Sequence, residues 1–244
     1  MLNLLRYPDS ASKAQKTVAL SAASLTNLCL NIILQMLIVR YLSKAEVAVY
    51  MQSLLIYSTL LPFLQLGVNS GLYYALTHRD GHSREVMTEG MIIVGLSGLV
   101  VSLIILIGGN DLIASFMNNY DLSYTAYWLI PYMLICIPES LAFVGFIFCN
   151  RVRFVAYYNA TKSLGCVLLL VIVILHNDSG TVLFIARVLS GCLFGVCSIF
   201  LLYAYVLPKD GWQFQWNDIK TILVVSLPLS FATMAGTMSS NIDM

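Results

Sequence analysis

Charge is scarce in this sequence: 13 Lys or Arg and 12 Asp or Glu are spread over 244 residues, 10% of the chain, where a soluble domain carries roughly a quarter. So few charges cannot clothe a water-facing surface of this size. The formal net charge is +1 and the basic residues are scattered, so no basic face is offered to nucleic acid. Cysteine is present without pattern. Cys29, Cys136, Cys149, Cys166, Cys192 and Cys197 fall inside apolar runs and form no CxxC pair, which speaks against a zinc site or a disulfide framework and for small packing residues. No Walker A loop, GxSxG, HExxH or dinucleotide fingerprint occurs, so no motif for enzymatic chemistry is legible and any transport draws on a gradient or on the substrate itself. His78 and His82 stand four apart, but Gly81 interrupts them and no third ligand is near; neither a metal nor another cofactor is expected. The first apolar run is too long for the core of a cleavable signal.

Apolar residues make up 59% of the chain, and they recur in runs of about 20, each long enough to cross ~30 Å of hydrocarbon. These runs cover 17–39, 47–77, 87–107, 124–148, 157–175 and 181–207, and a seventh starts at 221. The fold class expected is an all-α polytopic membrane protein: a six-helix transmembrane bundle over 1–207, an amphipathic connector over 208–220 with Trp212 and Trp216, and a seventh helix over 221–244. The second run exceeds one span and holds Pro62, which removes a backbone donor and predicts a kink. The run from 108 to 123 reads as a loop. Ending inside a helix that carries Pro228 and Asp243, the chain reads as a fragment of a longer one. A faint echo, Lys16-Thr17-Val18 against Lys220-Thr221-Ile222, agrees with a second half starting at the seventh helix.

Positive charge in short loops sets orientation. With a cytoplasmic N-terminus the inner side receives Arg6, Lys13, Lys16, Arg79, Arg84, Arg151, Arg153, Lys162, Lys209 and Lys220, and the outer side only Arg40 and Lys44. That asymmetry predicts an N-in protein.

Several polar side chains interrupt the apolar runs. Asn27, Asn31 and Gln35 follow at four-residue steps, as do Gln65, Asn69 and Tyr73, and each set lies along one helix face. Such stripes either bond neighbouring helices or wall a wet cavity. The GxxxG pairs Gly67/Gly71 and Gly191/Gly195 predict close helix crossings. Glu139 follows Pro138 deep in the fourth run; an ionised acid there costs about 2.5 to 3.5 kcal/mol on insertion scales. It is expected to be neutral against a kinked backbone or to relay protons or substrate. Arg187 lies ~9 Å from the outer end of the sixth run, at a depth that permits pairing with Asp243 or snorkelling.

Three stretches resemble a known family. Arg40-Tyr41-Leu42-Ser43-Lys44-Ala45-Glu46-Val47-Ala48-Val49-Tyr50 is similar to the conserved run after the first helix of bacterial polysaccharide flippases, the Wzx-like exporters of the MATE-related MOP superfamily. Leu64-Gln65-Leu66-Gly67-Val68-Asn69-Ser70-Gly71-Leu72 resembles their second-helix motif, and Ser226-Leu227-Pro228-Leu229 with Asn241-Ile242-Asp243 their seventh. Ser43 and Ala48 stand where glycines are usual, and Gln65 where an acid is. The lipid II flippases carry basic residues in the first helix, where this chain offers amides, which disfavours lipid II as cargo. The resemblance implies two six-helix bundles around a central cavity in a bacterial inner membrane. It implies movement of undecaprenyl-pyrophosphate-linked oligosaccharide by alternating access, for O-antigen, lipopolysaccharide or related surface polysaccharide. Its expected partners are the lipid-linked oligosaccharide, a coupling cation, the bilayer, a polysaccharide polymerase and a chain-length regulator. Within the cavity, Asn27, Asn31, Gln35, Gln65, Asn69, Glu139, Arg187 and Asp243 are the expected substrate contacts, with Arg40 and Tyr50 in an outer-side motif and Arg151 or Arg153 offered to the pyrophosphate at the inner mouth. The rivals are a cation-coupled drug or metabolite exporter of the same superfamily with Glu139 carrying the proton, a membrane glycosyltransferase or polymerase, which the short outer loops disfavour, and a scaffold protein.

Overall fold

The computed structural model describes residues 12–78, 83–177, 179–207 and 216–242, and in the last helix the side chains of 216 and 219–231. All regular structure among them is helical: α1 (Lys13–Tyr41), α2 (Lys44–Gln65), α3 (Val68–His78), α4 (Ser83–Ile104), a π-helical turn (Ile105–Gly109), α5 (Asn110–Phe116), α6 (Asp121–Phe148), α7 (Val152–His176), α8 (Gly180–Tyr205) and α9 (Trp216–Ile242). Six segments are long and apolar enough to cross a membrane: α1, the Lys44–His78 pair, Ser83–Phe116, α6, α7 and α8.

Local chemistry sets the ends. Ser12 opens α1 with a capping box, its side chain accepting from the Gln15 N–H while Gln15 answers. Ser43 caps α2 by accepting from the Glu46 N–H. The Glu46 carboxylate then accepts the N–H of Gly180, which ties α2 to the positive end of the α8 dipole. A Cβ at Gly180 would lie 2.1 Å from the Glu46 carbonyl oxygen, so only glycine fits.

Two expectations are refined. The second span is broken rather than merely kinked: Leu66 (φ 47) and Gly67 (φ 64) are left-handed and part α2 from α3, four residues after Pro62. The stretch read as a loop from 108 is largely helical, because the π turn with Gly108 at φ 127 bends the third span into α5 instead of ending it.

The centre of the bundle is α6, where Leu129, Met133, Ile137 and Leu141 form a fully buried stripe at helical spacing. Across it pack α8, α4, α2 and α3. At the edge of the bundle, α1 leans chiefly on α7, which leaves most of its surface exposed. Both glycine pairs mark crossings, as expected. A Cβ at Gly191 would lie 2.8 Å from Tyr132 and one at Gly195 2.8 Å from Ile135, both on α6. A Cβ at Gly67 or Gly71 would lie 2.5 Å from backbone oxygens of Ser226 and Ile222, so those glycines seat α9 against α2 and α3.

Candidate functional site

A cavity of about 220 Å³ opens between α1, α6, α7 and α8. A larger recess of about 610 Å³ between α2 and α5 is lined by side chains such as Leu60, Leu112 and Phe116 and has the character of a lipid-facing surface. The smaller cavity is polar. From α1 come Asn27 and Asn31, from α7 Asn159, Lys162 and Ser163, and from α8 Arg187.

The amides are organised by one side-chain bond within α1 and one across to α7. Asn31 Nδ2 donates to Asn27 Oδ1 at 2.9 Å, and Ser163 Oγ donates to the same Oδ1 at 2.9 Å. Thus the first two members of the α1 stripe are held at the cavity wall. Gln35, a turn further out, is exposed and does not line this cavity.

Deeper in lies a buried ion pair. Lys162 Nζ donates to Glu139 Oε1 at 2.7 Å and to Oε2 at 2.6 Å. Glu139 is 2% exposed and Lys162 28%, so the ammonium faces the cavity and the carboxylate stands behind it. The Cβ that Gly195 lacks would lie 3.6 Å from Glu139 Oε2; the missing side chain leaves room for the acid. Glu139 is therefore bonded to Lys162 of α7, and the pair bridges α6 and α7.

Arg187 occupies the part of the same cavity nearer the start of α8, seven residues after Gly180 and ~10 Å from that helix end. Its Nη1 donates to the Tyr50 hydroxyl at 3.3 Å, and Tyr132 lies beside it, its ring 4.3 Å from that of Tyr57. No carboxylate is bonded to Arg187 among the described residues. Tyr50, assigned from sequence to an outer motif, thus belongs to the arginine, whereas Arg40 is exposed at the end of α1. Asp243 and its pairing with Arg187 lie outside the described residues, as do Trp212 and His82.

Gln65 and Asn69 form a separate cluster. Gln65 Nε2 donates to Ser140 Oγ at 3.3 Å and Ser140 reaches Asn69 Oδ1 at 3.5 Å, so this stripe bonds α2 and α3 to α6 and does not line the cavity of Asn27. Reading the sequence missed Lys162, Asn159, Ser163 and Tyr132. The signal for three of them is legible: Asn159, Lys162, Ser163 and Cys166 follow at i, i+3, i+4 and i+7, a polar face on α7.

The family model described as "Polysaccharide biosynthesis protein" matches residues 14–244. The chain belongs to this family. Among solved structures, a MOP superfamily transporter from Pyrococcus furiosus, described as having a binding pocket of reverse polarity, is similar with TM-score 0.73 and 15% identity, covering 99% of this chain and 55% of its own. An outward-facing multidrug resistance MATE family transporter matches with TM-score 0.72 and 16% identity, over 99% of this chain and 56% of its own. A MATE protein in complex with MaD3S matches with TM-score 0.63 and 16% identity over the same shares. No individually curated protein matches. The fold of this polysaccharide biosynthesis protein is therefore that of a MATE-like transporter bundle in a multi-pass membrane protein, and the chain spans about 55% of the length of those transporters.

Proposed function

We propose that this protein translocates undecaprenyl-pyrophosphate-linked oligosaccharide across a bacterial inner membrane by alternating access, serving the synthesis of O-antigen, lipopolysaccharide or a related surface polysaccharide. The observation that carries the proposal is the cavity of amides, hydroxyls and two cations in a member of a polysaccharide biosynthesis family. Amides and hydroxyls both donate and accept, which suits sugar hydroxyls, and Lys162 and Arg187 supply positive charge for an anionic group. At about 220 Å³ the cavity is smaller than common ligand pockets of about 300–1,000 Å³, so it acts as a subsite within a larger path.

In this proposal residues 1–207 form the first bundle with a cytoplasmic N-terminus, 208–220 the connector and 221–244 the seventh helix, opening a second bundle. Asn27, Asn31 and Arg187 contact the passing glycan, Glu139 stands behind them holding Lys162, and Gln35, Gln65, Asn69 and Asp243 join them in other states of the cycle. A polymerase and a chain-length regulator take the cargo on the outer side. Purified protein in vesicles holding a fluorescent undecaprenyl-pyrophosphate oligosaccharide tests it: the labelled glycan becomes accessible from the opposite leaflet only where the protein is present. Drug-driven proton flux with no such movement would instead support a cation-coupled exporter, a reading favoured by the similarity to a multidrug transporter and by a buried acid bonded to a cavity-lining lysine.

A further inference from the structure

The Lys162–Glu139 pair is arranged in series with the cavity. Lys162 lines it, whereas Glu139 does not and is 2% exposed. Both carboxylate oxygens are bonded to the one ammonium. An anion entering from the cavity therefore meets Lys162 first and reaches nothing else of the pair. The lysine stem is flexible and its head is a compact point charge, so it can turn toward an incoming oxyanion.

When it does, Glu139 loses the cation that makes its charge tolerable. Among the described residues the surroundings supply no replacement. The titratable groups facing Glu139 are Tyr158 on α7, Cys192 on α8, Tyr57 on α2 and Cys136 on its own helix. All are neutral in their ordinary state. Arg187, the other cation of the cavity, is bonded to the Tyr50 hydroxyl and not to Glu139. An ionised carboxylate stranded in so dry a site is costly enough that it neutralises instead.

We infer that Lys162 is the binding point for an oxyanion of the cargo, a pyrophosphate or a sugar carboxylate, and that Glu139 takes up a proton from the cavity as that oxyanion binds. Anion and proton thus bind together, the converse of an exchange in which a proton evicts a cation. By linkage, each raises the affinity of the site for the other. The inference rests on the flippase proposal for the identity of the cargo, but its physical content is a property of the cavity alone.

The test uses the intact protein in nanodiscs and two probes that do not titrate between pH 6 and 8: sodium sulfate for the phosphate class and sodium glucuronate for the sugar carboxylate. Each is compared with sodium chloride at matched ionic strength. Proton uptake is read with an indicator in weakly buffered solution, and binding by the shift in melting temperature. At least one probe is expected to bind with uptake approaching about one proton per protein at saturation, and the probe that does so names the source of the oxyanion. Glu139→Gln should bind the same probe with no uptake, and Lys162→Met should bind neither. For the wild type alone, which needs no variant to fold, affinity should rise as pH falls. Failure of both probes to bind, binding without uptake, or equal uptake in Glu139→Gln would overturn the inference. The vesicle assay of glycan movement stays independent of it, so either can fail without the other.

Discussion

Glu139 and Lys162 depend on each other unequally. The carboxylate is 2% exposed and the ammonium 28%, so only the lysine has cavity water to fall back on. Lys162→Met strands the acid and is expected to cost about 3–5 kcal/mol of stability. Glu139→Gln costs less, and the double variant recovers most of the Lys162→Met loss because the two effects are coupled. Melting of the three variants in detergent checks this, and equal losses for the two single changes would contradict the geometry. Arg187 calls for a different test, because its planar fork reaches Tyr50 with Nη1 while its buried Nε has no hydrogen-bond partner. Arg187→Lys keeps the charge and loses the fork; glycan movement is expected to fall about tenfold or more, equivalent to at least ~1.4 kcal/mol, with little change in melting. Wild-type movement in that variant would reduce the arginine to a charge. Glu139 and Arg187 were legible in the sequence because a charge inside an apolar run stands out. Lys162 was not, because ten residues from the start of α7 it reads as a loop charge serving topology. Only the register of α6 against α7 shows that it is the partner of the acid.

Among the helices, close crossings depend on glycine and the cavity wall depends on amides. Gly195→Leu would drive a side chain into Ile135, whose Cγ2 is 2.8 Å from the Cβ position, and overpacking of this kind costs about 1–3 kcal/mol. It also shifts α8 away from the acid on α6. Reduced melting together with weaker glycan movement is expected, while Gly95→Ala, where nothing lies within 4 Å of a Cβ, should leave both unchanged. Asn27→Leu removes the acceptor shared by Asn31 and Ser163. Only the Ser163 bond crosses between helices, and such a bond is worth ~0.6 kcal/mol, so α1 should stay in place on α7 while transport falls further than stability does. A parallel loss of both would make the stripe structural. The glycine crossings were legible from spacing alone, because close approach is the main use of such pairs in membranes. That Gly67 and Gly71 meet α9 whereas Gly191 and Gly195 meet α6 was not legible, since spacing names a face and not its partner. The same limit explains the two amide stripes, one at the cavity and one bonded to Ser140. The broken second span escaped for another reason: Pro62 announces a disturbance, but the left-handed Leu66–Gly67 step is fixed by the close approach of Ser226 on α9.

For the molecule as a whole, the architecture was legible because the bilayer leaves few alternatives: backbone groups in hydrocarbon must be satisfied within helices, and run length then counts the spans. Where those spans enclose water is a tertiary fact. The account stands on the polar side of α1, α7 and α8 enclosing a hydrated path, and native cysteines report on it without mutation. Cys166 lines the cavity, while Cys29 and Cys197 are exposed on outer helix faces, where acyl chains would cover them. A membrane-impermeant thiol reagent reacts with thiolate, which forms in water and not in hydrocarbon. Applied to the protein in bilayers and read by peptide mass, it should modify Cys166, and also Asn31→Cys, while Cys29 and Cys197 stay unmodified. Protection of both Cys166 and Asn31→Cys would contradict the hydrated cavity and with it the transport path proposed through this bundle.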